Sequence, residues 1–531
     1  MPRVKDRKVG KGVVVHRKLD TPNDSKEGRS EWQYTCLFRD DYGVERGTGF
    51  FNRQATIGIL PEDALLEMFG FYVDEAQAVE ESQTEDDAQA ADKAREIEKW
   101  HTLVHVCRQW RYVVFASPRR LKLRLLCTDR RPVREMLCIW PATLPIVIWS
   151  NHRPISLMNG VDNIIAALEH PDRVCRIDLR SVPSSLLERL ADLMQRPFPA
   201  LEYLELRTEN EAAPDVSDSF LGGPAPHLRS LLLKSVPFPA LQKLLLSASH
   251  LVWLNLWNIP HTLYTTPEAM IACLSSLPKL ESLRLGFRSP LPRPILTNGP
   301  LSQTRTELPF LTVLTFLGDG GYLDDLVAWI TAPLLYTVKI TFFDQPVFEI
   351  SHLPRFISRA EKLNALNQAD LMLDSRSVAA TLYPRSGEAN CPELRLEISS
   401  TESDWQLSSL VQVCRQSLPT LSTLKRLDIR EGQYPRPRWQ DNNEEDAHWL
   451  VLLQLFTAVE DLHLSKRLAL HVAPALQDLA EERIAVVLPE LQNVFIEKLP
   501  PTGIIRRAIK QFAAARQRFD RPITIKRWKR E

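Results

Sequence analysis

Glycine is scarce in this chain, at 19 of 531 residues, while proline reaches 38, against averages of about 7% and about 5%. That balance argues against a glycine-rich nucleotide fold. Long apolar runs are missing too. The longest, such as "LPIVIW" and "IAVVL", fall far below the ~18 residues a bilayer-crossing helix needs, so no membrane partner is expected. The start, "MPRVKDRKVGKGVVVHRKLD", has only residues 13–15 as an apolar core, too little for a signal peptide. Eight cysteines stand singly at 36, 107, 127, 138, 175, 273, 391 and 414, with no C-x-x-C pair. Reduced thiols in a cytosolic or nuclear compartment are the natural reading.

Reaction motifs are equally sparse. There is no G-x-x-x-x-G-K-[ST], no H-E-x-x-H and no G-x-S-x-G, and "GDGG" at 318–321 is one weak turn. His and Cys never gather at metal-ligand spacing. No cofactor, metal or catalytic residue is expected, although an active site built from distant Ser, His and Asp stays open as an alternative.

What the chain does have is length, 44% apolar residues and 25% charged ones, the composition of an ordinary soluble protein. At this size a single core stops growing, so several domains or an elongated repeat array is required. Net charge is zero, but the sum hides unequal pieces. Residues 1–29 carry nine Lys/Arg against four Asp/Glu, 74–98 carry ten acids against two bases, and 501–531 carry ten bases against two acids. Basic ends can favour a polyanion, yet solvated tails and helix faces account for such charge, and nucleic acid is not an expected partner.

A pattern L-x-x-L-x-L recurs: "LEYLEL" from 201, "LRSLLL" from 228, "LVWLNL" from 251, "LESLRL" from 280, "LTVLTF" from 311, "LKRLDI" from 424, "VEDLHL" from 459 and "LQNVFI" from 491, with "VCRIDL" from 174 and "LYTVKI" from 335 one swap away. Clear starts between 174 and 335 lie 23 to 31 residues apart. Alternation inside L-x-L is a strand period, and the segments upstream, such as "PEAMIACLSSLPKL", run near 3.6. Each unit therefore reads as one strand plus one helix. An α/β sheet that repeats by chance is the alternative.

Over residues 120–531 the pattern resembles the leucine-rich repeat. The fold class expected is α/β: a leucine-rich-repeat-like solenoid, a horseshoe of parallel strands and helices. One departure stands out. The Asn or Cys expected three residues past the last Leu is replaced by Glu209, Val236 and Ile259, so the asparagine ladder should be absent and the curvature uneven. A single unit cannot bury its own apolar face, so the array needs caps. The helix "TGIIRRAIKQFAAARQRF" and the strand-like "PITIKRW" would close the C-terminal end.

Upstream, "ILPEDALLEMFGFYV" at 59–73 has an extended Leu60-Pro61 entry, acids in its first turn, and Leu65, Met68, Phe69 and Tyr72 on one face. In "WHTLVHVCRQWRYVVFASP" at 100–118, Trp100, Leu103, Val104, Cys107, Trp110 and Val114 share one helical face. Together these stretches resemble the F-box of fungal-type F-box domain-containing proteins with leucine-rich repeats. Leu60, Pro61, Leu65, Phe69, Leu103, Val106, Cys107, Arg108, Trp110 and Pro118 occupy motif positions, Asp63 and Ala64 depart mildly, and the acidic insert 74–98 is longer than usual.

The resemblance implies three parts: a basic segment 1–55 expected to be disordered, an all-α F-box over 56–119 that caps the array and carries the insert 74–98 as a solvated loop, and the solenoid 120–531. It further implies a substrate receptor of a cullin-type (SCF) ubiquitin ligase. Leu60, Pro61, Leu65, Leu103, Val106 and Pro118 would face a Skp-type adaptor, and through it the cullin scaffold, while Phe69, Cys107 and Trp110 would form core. Mechanism would be positioning, holding a target lysine at high effective concentration. A scaffold whose F-box is only a structural cap is the alternative function.

For an unidentified target protein, strand alternation puts Tyr203, Trp253, Asn255, Trp257, Arg284, Lys339, Arg426 and Arg430 opposite the core leucines. Exposed Trp and Arg are enriched at interface hot spots. Insertions from 207, 286 and 430 each begin directly after a strand, so they should emerge along the same edge.

Overall fold

The computed structural model describes residues 60–77, 98–118, 120–150, 158–208, 219–260, 265–288, 305–343, 348, 350–385, 391–399, 406–432, 443–477, 486–497 and 503–528. The expected basic segment 1–55, most of the acidic insert and most of the three long insertions lie outside these residues. By internal contacts the chain divides into Met1–Leu65 and Leu66–Glu531.

The strands, in chain order, are β1 (Leu125–Thr128), β2 (Ile146–Ser150), β3 (Val174–Val182), β4 (Tyr203–Thr208), β5 (Ser230–Lys234), β6 (Trp253–Ile259), β7 (Ser282–Phe287), β8 (Thr306–Glu307), β9 (Val313–Gly318), β10 (Ile330–Thr331), β11 (Thr337–Phe343), β12 (Gln368–Leu373), β13 (Ser377–Tyr383), β14 (Glu393–Ser399), β15 (Arg426–Glu431), β16 (Asp461–Leu464), β17 (Asn493–Glu497) and β18 (Thr524–Trp528). Among the described residues sixteen of them form one mostly parallel sheet, in the order β1-β2-β3-β4-β5-β6-β7-β9-β11-β14-β13-β12-β15-β16-β17-β18. All ten L-x-x-L-x-L sites lie in this sheet. The α/β class is thus observed, and the sheet is compatible with a solenoid-like fold.

The physical reason is local. In β6, Leu254 and Leu256 are buried against Leu231 and Leu233 of β5 and Leu283 and Leu285 of β7, in register. Each such leucine contributes roughly 1.5–3 kcal/mol on burial, and a slip of one residue would turn the whole set outward. Helices such as Pro267–Ser275, capped by Thr266 and started by Pro267, bury Met270, Cys273 and Leu274 in the same core.

Where the asparagine ladder is missing, a different device appears. Ser181, Ser235 and Asn258 take positive φ of 56°, 57° and 54°, and the ladder register shifts between Leu179 and Val182 and between Leu256 and Ile259. The kink lets Val182 and Val236 turn into the core. Thr208 Oγ1 donates to Ser235 O at 2.9 Å and Asn258 Nδ2 to Ser235 Oγ at 2.6 Å. A short polar ladder therefore exists one position earlier than the repeat template places it.

The run β12–β14 escaped the repeat reading. Here β14 joins β11 in parallel, β13 is antiparallel to both neighbours, and β12 joins β15 in parallel. The turn between β12 and β13 closes with Asp374 N–H donating to Ser377 O at 2.8 Å.

The N-terminal helices are Glu62–Gln77, Trp100–Val104 and Arg108–Ala116. The single apolar face expected over 100–114 is broken at 105–107, because Cys107 is extended and its Sγ accepts the Trp110 N–H at 3.4 Å as a helix N-cap. Cys107 is exposed, which corrects its assignment to the core. Phe69 is buried and meets Trp110 edge-on at 4.7 Å. Glu98 corrects the other end of the acidic insert: it is buried, pairs with Arg131 at 2.6 Å and accepts from Leu126 N–H at 3.3 Å. The Trp100 indole donates to Arg124 O at 3.0 Å. These bonds tie residues 98–116 to the start of the sheet, within one unit.

Candidate functional site

The sheet face opposite the leucines is the first candidate. One cross-strand row on it runs from Asp178 through Asn255, Arg284 and Lys339 to Asp428 and Lys526. Tyr203 and Trp253 lie two residues before that row, Trp257 two after, and Arg426 and Arg430 flank Asp428. The register thus brings all eight side chains expected to meet a target onto one face.

Their surroundings differ sharply. At one end Asp178 and Glu205 are buried under arginines: Arg180 Nε lies 3.0 Å from both, Arg176 reaches Asp178 at 3.4 Å and Arg207 reaches Glu205 at 2.6 Å. Tyr203 donates to Glu205 and lies under Arg176 at 3.9 Å. Burial, then Asp178 and Glu205, push its phenol pKa up, so it stays a neutral donor. At the other end Arg430 Nε bonds Asp370 at 2.7 Å and Arg426 Nε bonds Asp428 at 2.9 Å. Lys339 pairs with Glu393 at 2.8 Å. Tyr203, Lys339, Arg426 and Arg430 are therefore committed to partners within the face. Buried ion pairs add little net stability over well-packed apolar side chains of similar size.

The centre is different. Trp253 is 50% exposed. Trp257 is half-buried, its indole lying over Gly286 so closely that an added Cβ would sit 2.6 Å from Cε3. Asn255 Oδ1 is covered and accepts no hydrogen bond from the described residues. Arg284 is half-buried, and Lys234, beside Trp257 in register, is exposed. Sequence reasoning passed over Lys234 and Gly286, although the L-x-L alternation places both on this face.

The helical segment is the second candidate. Of the side chains the resemblance assigns to an adaptor, Leu60 is 39% exposed, Pro61 is exposed, Val106 is exposed and Pro118 is half-buried. Leu65 at 0% and Leu103 at 7% are buried, so neither side chain is presented for docking, and that part of the expectation is corrected. Their helical spacing made them apolar-face residues, and packing took that face. Met68, Phe71 and Tyr72 stand exposed on the other side of Glu62–Gln77, Phe71 at 76%, and Tyr112 is exposed on Arg108–Ala116.

One cluster has the residue types of a nucleophilic triad. His352 Nδ1 lies 2.9 Å from Asp324 Oδ2 and 3.1 Å from Ser351 Oγ. Both partners sit on the same ring nitrogen, which cannot relay a proton between them. Asp324 also accepts the N–H groups of Ser351, His352 and Leu353, ahead of the helix Leu353–Ser358. Burial works to raise its pKa, but the His352 side chain and those N–H groups outweigh burial and hold it below the ordinary carboxylate value. Burial pushes the Cys127 and Cys414 thiols up to about 12 and those of Cys175 and Cys273 up to about 11, far from thiolate reactivity. Among the described residues no three His, Cys, Asp or Glu gather to hold a metal, and no helix is long and apolar enough to cross a membrane.

Fold and surface together define an α/β protein that offers a long, charge-laced sheet face and an exposed apolar helical segment. No family model matches the chain, and no curated protein matches it either.

Proposed function

We propose that the chain is the substrate receptor of a cullin-type ubiquitin ligase, with a leucine-rich-repeat-like solenoid behind an F-box. The helical segment docks a Skp-type adaptor, and the polar face of the sheet holds the target. The observation that carries this reading is the exposed apolar surface of the N-terminal helices. Met68, Phe71, Tyr72, Val106 and Tyr112 face solvent, while Phe69 and Trp110 pack together beneath them. Exposed large apolar side chains concentrated on a short helical segment mark a protein-interaction site. By resemblance Leu60 and Pro61 serve the same partner.

The function is then positioning, because a tethered target meets the ubiquitin-charged enzyme at raised effective concentration. Co-expression with a Skp-type adaptor and co-purification tests it. The full chain should retain the adaptor, and Met68→Asp with Phe71→Asp should abolish retention while leaving thermal unfolding unchanged. No retention by the unaltered chain means a scaffold without a ligase; retention by the double variant means another docking surface.

A further inference from the structure

We infer that the centre of the polar sheet face, over β5, β6 and β7, binds an extended acidic segment of a partner protein. The bound segment has two carboxylates four residues apart, with an apolar side chain between them. The inference rests on the target-binding half of the reading above and not on the adaptor half.

The cations on this face differ in their partners. Arg176, Arg180, Arg207, Lys339, Arg395, Arg426 and Arg430 all pair with carboxylates of the same face. Lys234 and Arg284 have no carboxylate partner among the described residues. They flank β6, the strand that carries Trp253, Asn255 and Trp257. In register Lys234 lies beside Trp257, and Arg284 beside Asn255, so the line joining the two cations crosses β6 between the indole and the amide.

Spacing selects the ligand. Strands lie about 4.8 Å apart and rise about 3.3 Å per residue. Two strands across and two residues along put the Cα atoms of Lys234 and Arg284 roughly 12 Å apart. One phosphate would have to draw both side chains inward to be shared. Two carboxylates at positions i and i+4 of an extended chain lie about 13 Å apart and point to the same side. Each then meets its own cation. The residue at i+2 points the same way and falls between the Trp257 ring and the Asn255 amide.

The indole is held there by a glycine. Gly286 leaves the neighbouring strand open, and the ring of Trp257 fills that space, giving a flat apolar floor beside the line that joins the two charges. Trp253 extends the floor on the same strand. Tryptophans on β6 with a cation on the strand to either side complement an acid–apolar–acid segment in charge and shape.

The probe is a fluorescein-labelled peptide, Gly-Glu-Ser-Phe-Ser-Glu-Gly, added to the full chain and followed by anisotropy and by tryptophan emission. Binding should weaken with added salt. It should be lost when both Glu become Gln, and fall roughly tenfold in the Lys234→Gln, Arg284→Gln double variant. Gly286→Ala, which displaces the indole, should weaken binding while leaving the salt dependence in place. Circular dichroism of each variant, with the exposed Lys234→Gln alone as the mildest change, separates lost binding from lost fold. No binding of the Glu peptide, equal binding of the Gln peptide, or unchanged binding by the double variant overturns the inference. Tighter binding of a peptide with one phosphoserine in place of both Glu overturns the carboxylate assignment. Loss of adaptor co-purification leaves this result untouched, so the two readings fail separately.

Discussion

His463 is a buried histidine in a polar row, stacked on Phe495 at 4.2 Å, edge-on to Trp528 at 5.2 Å, and with no hydrogen-bond partner for Nδ1 among the described residues. Burial lowers its pKa below the ordinary 6.5; Asp428 and Asp461 pull upward and Arg426 downward, without reversing burial. Below that ordinary value the unfolded chain takes up a proton that the folded chain refuses, so stability is full above about pH 6.5 and declines as pH falls. His101, stacked on Trp140 and also lowered chiefly by burial, adds to the same decline. The melting temperature should therefore fall between about pH 7 and about pH 5. His463→Phe, which keeps the ring stack without the proton site, should flatten part of that fall. A melting profile as steep in the variant as in the original chain would remove His463 from the account.

Among the elements, the break between Trp100–Val104 and Arg108–Ala116 depends on one side chain. Cys107 was legible as apolar and helical, since it continues the spacing of Trp100, Leu103 and Val104. Instead its thiol accepts the Trp110 N–H and starts a new helix. An oxygen cap contributes about 1 kcal/mol, and the weaker thiol acceptor contributes at most that amount. Cys107→Ser should leave thermal stability nearly unchanged because the hydroxyl caps as well, and Cys107→Ala should lower it by up to that amount. Stability of Cys107→Ala equal to that of the original chain would mean that the sulfur does no capping. A second difference at this scale has the same origin. Leu65 and Leu103 were assigned outward by motif position, yet nearest-neighbour packing buries them.

The whole sheet ends at β18, whose outward pattern and Lys526 and Arg527 blunt an open edge. Its support is the helix Ile504–Arg518, where Ile505, Ala508, Ile509 and Phe512 are buried. Arg516 is 1% exposed and donates to Leu488 O at 2.9 Å, Pro489 O at 3.1 Å and Leu491 O at 3.2 Å. Those carbonyls begin the turn into β17, so the guanidinium fastens the C-terminal helix there, with Arg521 adding a bond to Pro489 O at 3.3 Å. Burial lowers its pKa, but not enough to matter for a group of this basicity. Arg516→Met should leave Leu491 O without its donor, while Leu488 O keeps the Leu491 N–H and Pro489 O keeps Arg521, at a cost of about 1–3 kcal/mol, read as a lower melting temperature. Truncation after residue 502 should uncover the last repeat and give aggregate on size-exclusion chromatography. A monodisperse truncated chain would show that the cap is dispensable.

The ten strands at L-x-x-L-x-L sites, the sheet face each side chain takes and the C-terminal helix and strand were all decided by the sequence itself. Their signals are local: apolar alternation with period two sets a strand, period 3.6 sets a helix, and each is stable in any stack that covers it. Tertiary structure alone decided the rest. The β14-β13-β12 order depends on which distant edges meet, and its alternating segments look the same read parallel or antiparallel. The polar ladder of Thr208, Ser235 and Asn258 needs left-handed residues that no apolar pattern reveals. The buried acids and arginines at the two ends of the polar face are partners because register sets Asp178 beside Glu205 and Asp370 beside Asp428. The same register leaves Lys234 beside Arg207 and Trp257 and Arg284 beside Asn255 and Thr315, with no such acid next to either, because charge pairing across a sheet is fixed by which strands become neighbours.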